Sequence, residues 1–333
     1  MNIMRELEEL EELEELEELE GFEEIKELEE LEEFEELEEF EEIKRSRELR
    51  ENANIIKNKY IIGELISKGA FGAVFKGKTV GINMQVAIKI ENPSANKSLK
   101  HETKILNYLY SNKIRTIPSI YWYGLYRNLP CLIIPYYKCS LKTYMERCDK
   151  SNISKIVRQI ITILKDIHGQ YIVHRDLKPD NFMIKDDGNI MMIDFGLSTF
   201  YVGENSKLLP NAASETIIGS PKYISIRIFE GNRYTIRDDL ISLGYMCAGF
   251  YLGYTPWEPD RSSIISDEED DSHLHNSLNI KHPVNIWRRK YRNMEWFKKW
   301  LPDYNDILNY LEETYTYQYE DLPDYNKLMQ FFI

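Results

Sequence analysis

Three stretches of the sequence carry residues whose types and spacing suit phosphate and metal-ion chemistry. The first is His174-Arg175-Asp176-Leu177-Lys178-Pro179-Asp180-Asn181, followed by Phe182-Met183-Ile184 and then by Met191-Met192-Ile193-Asp194-Phe195-Gly196. Two short apolar strands there would bring three oxygen-bearing side chains, Asp176, Asn181 and Asp194, to one edge. The second is Ser67-Lys68-Gly69-Ala70-Phe71-Gly72-Ala73-Val74, entered through Ile66. It reads as a glycine-bearing turn between strands, where Gly69 and Gly72 would let backbone N–H groups approach phosphate oxygens. The third is Val86-Ala87-Ile88-Lys89-Ile90-Glu91, an apolar strand with one lysine in it. A buried lysine needs a counter-charge to keep its proton, and Glu102, in the next amphipathic segment, offers one. Behind a glycine turn, such a lysine points to phosphate contact. Each feature alone has a plainer reading: a ligand-free turn, a snorkelling lysine, a loop with satisfied carboxylates. Ser67 also stands where the first glycine of G-x-G-x-x-G belongs.

The elements that must hold these groups are legible in outline. Tyr60–Ile66 reads as the start of a strand. Leu99–Tyr110 is amphipathic at helical spacing. Ile153, Ile156, Val157, Ile160, Ile161, Leu164 and Ile167 recur on one helical face, with Ser151 or Asn152 as cap and Gly169 as stop. Asp239 opens an apolar run from Leu240 to Leu252, where a buried carboxylate survives only with hydrogen-bond donors.

Charge divides the chain. Residues 1–50 hold 24 Glu against 6 Lys or Arg, a local −18, while the remaining 283 residues carry 36 basic and 32 acidic groups, net +4. An acidic tail is thus joined to a mildly basic globule large enough to bury about three quarters of its surface. Phosphates would repel the tail, which excludes it as a nucleic-acid arm. No apolar run reaches the ~18–20 residues of a membrane helix, and Met1-Asn2-Ile3-Met4-Arg5-Glu6 has no apolar leader core. Cys131, Cys139, Cys148 and Cys247 show no paired spacing, which suits thiols in a reducing compartment, cytoplasm or nucleus. From Leu7 to Ile43 an apolar residue returns every third position with Glu between. At about 100° per residue this stripe circles a helix instead of forming a seam. A solvated acidic helix, an imperfect coiled coil with a partner or a second copy, and an acidic docking arm all remain open. Lys44, Arg45, Arg47 and Arg50 mark the linker.

Taken in order, these motifs resemble a eukaryotic-type protein kinase, and within that superfamily the casein kinase 1 group, with the vaccinia-related kinases as relatives. The group-level cues are Asp180-Asn181-Phe182 and Gly219-Ser220-Pro221-Lys222-Tyr223-Ile224-Ser225-Ile226-Arg227 in the place of A-P-E. Arg237-Asp238-Asp239-Leu240, Pro256-Trp257 and Leu322-Pro323-Asp324-Tyr325 continue the match. The resemblance implies an α+β, bilobal protein kinase fold over residues 60–333. A small antiparallel β lobe (about 60–134) would precede a larger, mostly helical lobe (about 138–333), after a tail (1–50) and linker (51–59).

It further implies ATP and Mg2+ as cofactors and transfer of the γ-phosphoryl to Ser or Thr of protein substrates, with no nucleic acid or membrane involved. Asp176 would be the base and Lys178 would neutralise the γ-phosphoryl. Asn181 and Asp194 would hold Mg2+, Lys89 paired with Glu102 would hold the α/β-phosphates, and Ile66–Val74 would cover them. Adenine would meet Pro135 and Tyr137 beyond the gatekeeper Ile134, and Asp239 would brace the catalytic loop. Ala212 departs from the group, since it stands where relatives carry a basic residue for acidic or phosphorylated substrates. Lys222 and Arg261 are the available substitutes. Ser214, Thr216 and Ser220 read as loop polarity, and the acidic run Ser266–Asp271 beside His273 and His275 as solvated surface. Trp287, Trp296 and Trp300 are expected to pack the last helices. The high use of Ile, Asn, Lys and Tyr points to an AT-rich genome, such as that of a parasite or of a large DNA virus acting in a host cell. The rival reading is an inactive kinase-fold scaffold recruiting partners through its tail.

Overall fold

The computed structural model describes residues 55–69, 72–93, 98–147, 150–212, 217–258 and 279–333. The Leu/Glu repeat, Ala70, Phe71, Cys148, Ser214, Thr216, Arg261 and the acidic run with its two histidines lie outside the described residues. The chain divides into two compact units: residues up to Gly63 with Lys78–Asn83, and Glu64–Gly77 with Met84–Ile333. In the smaller unit β1 (Ile55–Ile56) pairs antiparallel with the start of β2 (Tyr60–Gly69), Ile56 opposite Tyr60. Its turn uses Lys57 and Asn58 at φ 53° and 54°.

The larger unit begins with the rest of β2, then β3 (Gly72–Thr79), β4 (Gln85–Glu91), α1 (Ser98–Ser111), β5 (Trp122–Tyr126) and β6 (Leu129–Pro135). Its strands lie in the order β2-β3-β4-β6-β5. Alternation in β4 buries Val86 and Ile88 and puts Ala87 and Lys89 on the other face, Lys89 opposite Leu132 of β6. Helix α1 starts where it does because the Glu91 carboxylate accepts the Leu99 N–H at 3.0 Å and the Ser98 hydroxyl at 2.8 Å. A first-turn N–H with no partner inside the helix is thereby satisfied.

A mostly helical stretch follows: β7 (Cys139–Ser140), α2 (Leu141–Met145), α3 (Ile153–His168), β8 (Ile172–Val173), β9 (Phe182–Ile184), β10 (Ile190–Met192) and β11 (Thr199–Phe200). It continues with α4 (Ile226–Phe229), α5 (Ile236–Leu252), α6 (Pro283–Tyr291), α7 (Met294–Trp300), α8 (Asn305–Thr316) and α9 (Tyr325–Gln330). Small sheets join β7-β9-β10 and β8-β11. The sheet-then-helices order is the α+β arrangement expected.

Helix α3 is held by its apolar stripe more than by its ends. Asn152 precedes it without a side-chain capping bond, and Gly169 stays right-handed at φ −62°. Gly169 is nonetheless the stop expected, the residue that follows the last helical position His168, and the backbone turns left-handed only at Tyr171, φ 62°. Helix α5 is buried on nearly all sides, which is why its sequence reads as a continuous apolar run. It ends at Gly253, φ 81°.

Of the three tryptophans expected to pack, Trp296 and Trp300 are half-buried in an aromatic row with Tyr291. Trp287 is 41 % exposed and only leans on Tyr291. The fully buried tryptophan is Trp257. Cys131 and Cys247 are buried thiols, Cys139 is half-buried, and burial pushes the Cys131 thiol up to about 12. Among the described residues no helix is long and apolar enough to cross a membrane.

Candidate active site

Lys89 reaches the site from β4. Its Nζ lies 2.6 Å from Glu102 Oε1 on α1 and 3.5 Å from Asp194 Oδ1. Burial works against the ammonium, but the two carboxylates outweigh it and hold Lys89 above its ordinary range. Lys89, with help from Lys178 and His174, draws Asp194 below the usual carboxylate range against its own burial. Glu102 is 1 % exposed, and burial pushes its carboxyl up against the pull of Lys89. The Asp194 side chain, by contrast, is 45 % exposed. One cation therefore ties a buried carboxylate to one that still faces the cleft.

The loop from His174 to Asn181 converges on Asp176. Lys178 Nζ donates to Asp176 Oδ2 at 2.7 Å, and Asn181 Nδ2 donates to the same oxygen at 3.1 Å and to the Asp176 carbonyl at 2.8 Å. With its nitrogen so used, Asn181 keeps its amide oxygen as a ligand atom. Asp194 reaches the same region because β9 and β10 pair antiparallel and the Ile193 N–H bonds to the Asn181 carbonyl at 2.9 Å. Arg175 and Asp194 both sit at positive φ, 68° and 66°, backbone states that persist only when their surroundings hold them.

Those surroundings include Asp239, fully buried at the start of α5. Its Oδ2 accepts the His174 N–H at 2.7 Å and its Oδ1 the Arg175 N–H at 3.0 Å. The His168 ring at 3.0 Å and the Tyr234 hydroxyl at 3.0 Å complete the shell. Although burial opposes ionisation, these bonds keep the Asp239 carboxyl below its ordinary value. The bracing role expected for it has its donors in place. His168 also meets the Tyr325 hydroxyl at 2.6 Å, a link from α9 that the sequence reading did not include.

A cleft of about 380 Å³ gathers most of the expected residues: Ser67, Lys68, Gly69, Gly72, Ala73, Val74, Lys89, Glu102, Asp176, Lys178 and Asp194. Ile66 stands outside this lining, half exposed on β2, as do Pro135 at the end of β6 and Tyr137 beyond it. Burial pushes the Tyr137 phenol up to about 12. Asn181 enters through its bonds to Asp176. The glycines differ. Gly72 has φ 154°, and a Cβ there would lie 2.2 Å from the Ile90 carbonyl, whereas a Cβ on Gly69 would meet nothing within 4 Å. The protein itself demands only Gly72.

Ser220 was read as loop polarity and proves to be part of the site. Its hydroxyl donates to Asp176 Oδ1 at 2.6 Å. Beside it, Gly219 has φ 102°, and a Cβ would fall 2.1 Å from the Arg175 carbonyl. The hint in sequence was its place in the stretch Gly219–Arg227, a glycine followed by a hydroxyl residue. Glu91 was likewise missed as the residue that starts α1. Ala212, at the position discussed for substrate charge, is exposed.

The donor set fits a hard divalent ion. Asp194 and Asn181 offer oxygens next to a cleft, and Mg2+ commonly takes one or two protein oxygens and keeps several waters. Among the described residues no cluster of three or more His, Cys, Asp or Glu would compete as a metal site.

A glycine turn, an ion-paired strand lysine, a loop aspartate and a metal-type carboxylate meeting in one cleft define a protein kinase. Residues 60–313 match the protein kinase domain family, and the chain belongs to it. Within that family the chain is similar to a casein kinase I of yeast. It is 30 % identical over 217 residues to Casein kinase I homolog 1 of Saccharomyces cerevisiae, an alignment covering 62 % of this chain and 40 % of that protein. The chain thus spans less than half the length of that relative.

Proposed function

We propose that this protein is a serine/threonine kinase that transfers the γ-phosphoryl of ATP, with Mg2+, to Ser or Thr hydroxyls of proteins. The observation that carries the reading is the convergence of Lys89, Glu102 and Asp194 with Asp176, Lys178 and Asn181 on one cleft. Phosphoryl transfer asks for positioning and charge neutralisation more than for covalent help, and this set supplies both. Lys89, fixed by Glu102, presents a permanent cation to the α/β-phosphates. Asp194 and Asn181 would hold Mg2+, which when bound neutralises charge on the β- and γ-phosphates. Asp176 orients the substrate hydroxyl and takes its proton at Oδ1, the oxygen now held by Ser220. As the hydroxyl oxygen bonds to phosphorus, the bond from phosphorus to the β–γ bridging oxygen breaks and ADP leaves. Lys178, 2.7 Å from Asp176, stays within reach of the charge on the moving group. Its place two residues after the base favours Ser/Thr over Tyr by family analogy.

The test is incorporation of label from γ-labelled ATP into a generic protein by the full chain, followed by phosphoamino-acid analysis, with Asp176→Asn as control. Phosphoserine or phosphothreonine that vanishes in the control supports the reading. Transfer no greater than the control would favour the scaffold instead, and phosphotyrosine alone would overturn the specificity.

A further inference from the structure

Arg292, just past the end of α6, is fully buried although it carries a cation. Its guanidinium lies over three aromatic rings, at 5.0 Å from Phe229, 5.0 Å from Tyr245 and 5.6 Å from Trp257. The nearest carboxylate, Glu258, is 3.8 Å away and is engaged instead by Arg288 through two bonds of 2.7 and 2.6 Å. What Arg292 does hold is backbone. Nη1 donates to the Ile224 carbonyl at 2.8 Å, and Nη2 donates to the carbonyls of Pro221 at 2.8 Å and Lys222 at 2.6 Å. Trp257 Nε1 donates to the Lys222 carbonyl as well, at 2.8 Å. A charge taken out of water without a direct counter-ion is costly. Its cost here is offset by this set of carbonyls and ring faces, with Glu258 adding to them at 3.8 Å, and burial still draws Arg292 down to about 10.

The peptide so held is the continuation of the site. At one end Ser220 donates to Asp176, and Gly219 fits against the Arg175 carbonyl with no room for a Cβ. At the other end Arg292 and Trp257 fasten Pro221, Lys222 and Ile224 from beneath. Between them the Lys222 side chain is exposed and Tyr223 half-buried. A segment with inward carbonyls and an outward cation, one residue from the loop base, is the surface on which an incoming hydroxyl-bearing peptide must lie. None of its anchors touches Lys89, Glu102 or Asp194.

Resting on the kinase reading above, we propose that Arg292, with Trp257, is the positioning residue for the protein-substrate platform Gly219–Ser225. It sets acceptor binding without setting nucleotide binding. Lysine cannot replace it: a point ammonium lacks the planar fork that reaches three carbonyls while stacking between rings.

Two variants of the full chain test this. Arg292→Lys keeps charge and loses the fork, and Trp257→Phe keeps a ring and loses one N–H. The first readout needs no activity: limited trypsin cleavage of the Lys222–Tyr223 bond, in nucleotide-free protein, should accelerate in both variants relative to other sites. The second is kinetic. KM for a protein acceptor should rise about ten-fold in Arg292→Lys and about three-fold in Trp257→Phe, the scale of one or two lost hydrogen bonds to a charged or ring donor. KM for ATP should stay within about two-fold. Should Arg292→Lys fail to fold, Trp257→Phe carries the test alone. Unchanged cleavage with unchanged acceptor KM overturns the proposal, and so does a parallel loss of ATP and acceptor affinity. A wild type without transfer activity but with the cleavage effect would refute the kinase reading while leaving the anchor intact.

Discussion

The nucleotide side and the acceptor side of this cleft are held by different chemistry. On the nucleotide side, side chain meets side chain: Lys89 binds Glu102 and Asp194, charges of opposite sign at 2.6 and 3.5 Å. On the acceptor side, a side chain meets backbone: Arg292 and Trp257 grip the carbonyls of residues 221–224, and Gly219 is defined by the lack of a Cβ. The first kind of contact is specified by residue type at both ends. The second is specified at one end only, since any residue supplies a carbonyl. The nucleotide side should therefore answer to changes in charge and the acceptor side to changes in shape.

The largest effect should come from Asp194→Asn. It removes the cleft-facing carboxylate that pairs with Lys89 and would meet Mg2+. A loss of roughly a thousand-fold in kcat is expected, the scale at which an electrostatic group at a reacting centre counts. Thermal stability should change little, because Lys89 keeps Glu102. A variant within ten-fold of wild type would break the charge-first account of this side.

Gly219→Ala, which alters no charge, should come next. With φ at 102° and the Arg175 carbonyl 2.1 Å from the new Cβ, either the catalytic loop or the platform must move. Acceptor phosphorylation should fall roughly a hundred-fold, the usual consequence of an ångström-scale displacement at a reacting site. Binding of Mg·ATP, followed by thermal shift, should persist. Loss of nucleotide binding along with activity would merge the two sides into one.

Glu102→Gln sharpens the nucleotide side more gently. Lys89 should stay protonated in the variant, because Asp194, which stands ahead of Glu102 among the charges that hold its pKa up against burial, remains. The variant should misplace the ammonium without discharging it. KM for ATP should rise about ten-fold, with a pH–rate profile that stays flat between about pH 7 and 9, well below the titration of an ordinary lysine. A new basic limb in that range would show instead that Glu102 is what keeps the lysine charged.

This asymmetry also explains what could be read from the sequence. Lys89, Asp176, Asn181 and Asp194 announce themselves because charged and amide side chains in apolar surroundings have few structural uses. Asp239 was legible for the same reason, as a carboxylate opening an apolar helix. Ser220, Glu91 and Arg292 were not, because a serine in a loop, a glutamate at a strand end and an arginine in a basic helix all have ordinary surface readings. Their roles depend on which backbone and side-chain atoms lie within about 3 Å, and that is a property of the fold. The α3 boundaries divide the same way. The apolar stripe from Ile153 to Ile167 and the stop at Gly169 were visible, but that Asn152 makes no side-chain capping bond was not.

The smallest effect separates neighbours. Asp238 and Asp239 are consecutive and both fully buried, yet their carboxyls move in opposite directions. Asp239 collects four donors and is drawn down. Asp238 caps its own helix, accepting the Thr235 N–H at 2.8 Å with Arg237 at 3.9 Å, and burial pushes it up to about 6. A carboxyl raised in the folded state contributes stability that is complete below its unfolded pKa, about 4, and is lost as pH rises through 6. Asp238→Asn removes that dependence, so its stability relative to wild type should climb by about 2–3 kcal/mol between pH 4 and pH 7, measured by denaturant unfolding at each pH. Asp239→Asn should show the reverse slope, with its deficit growing as pH rises towards the unfolded value of about 4 and levelling off above it, and should also slow catalysis through the loop it braces. Parallel slopes for the two variants would mean that burial alone governs both sites and that the donors gathered around Asp239 do not set its ionisation.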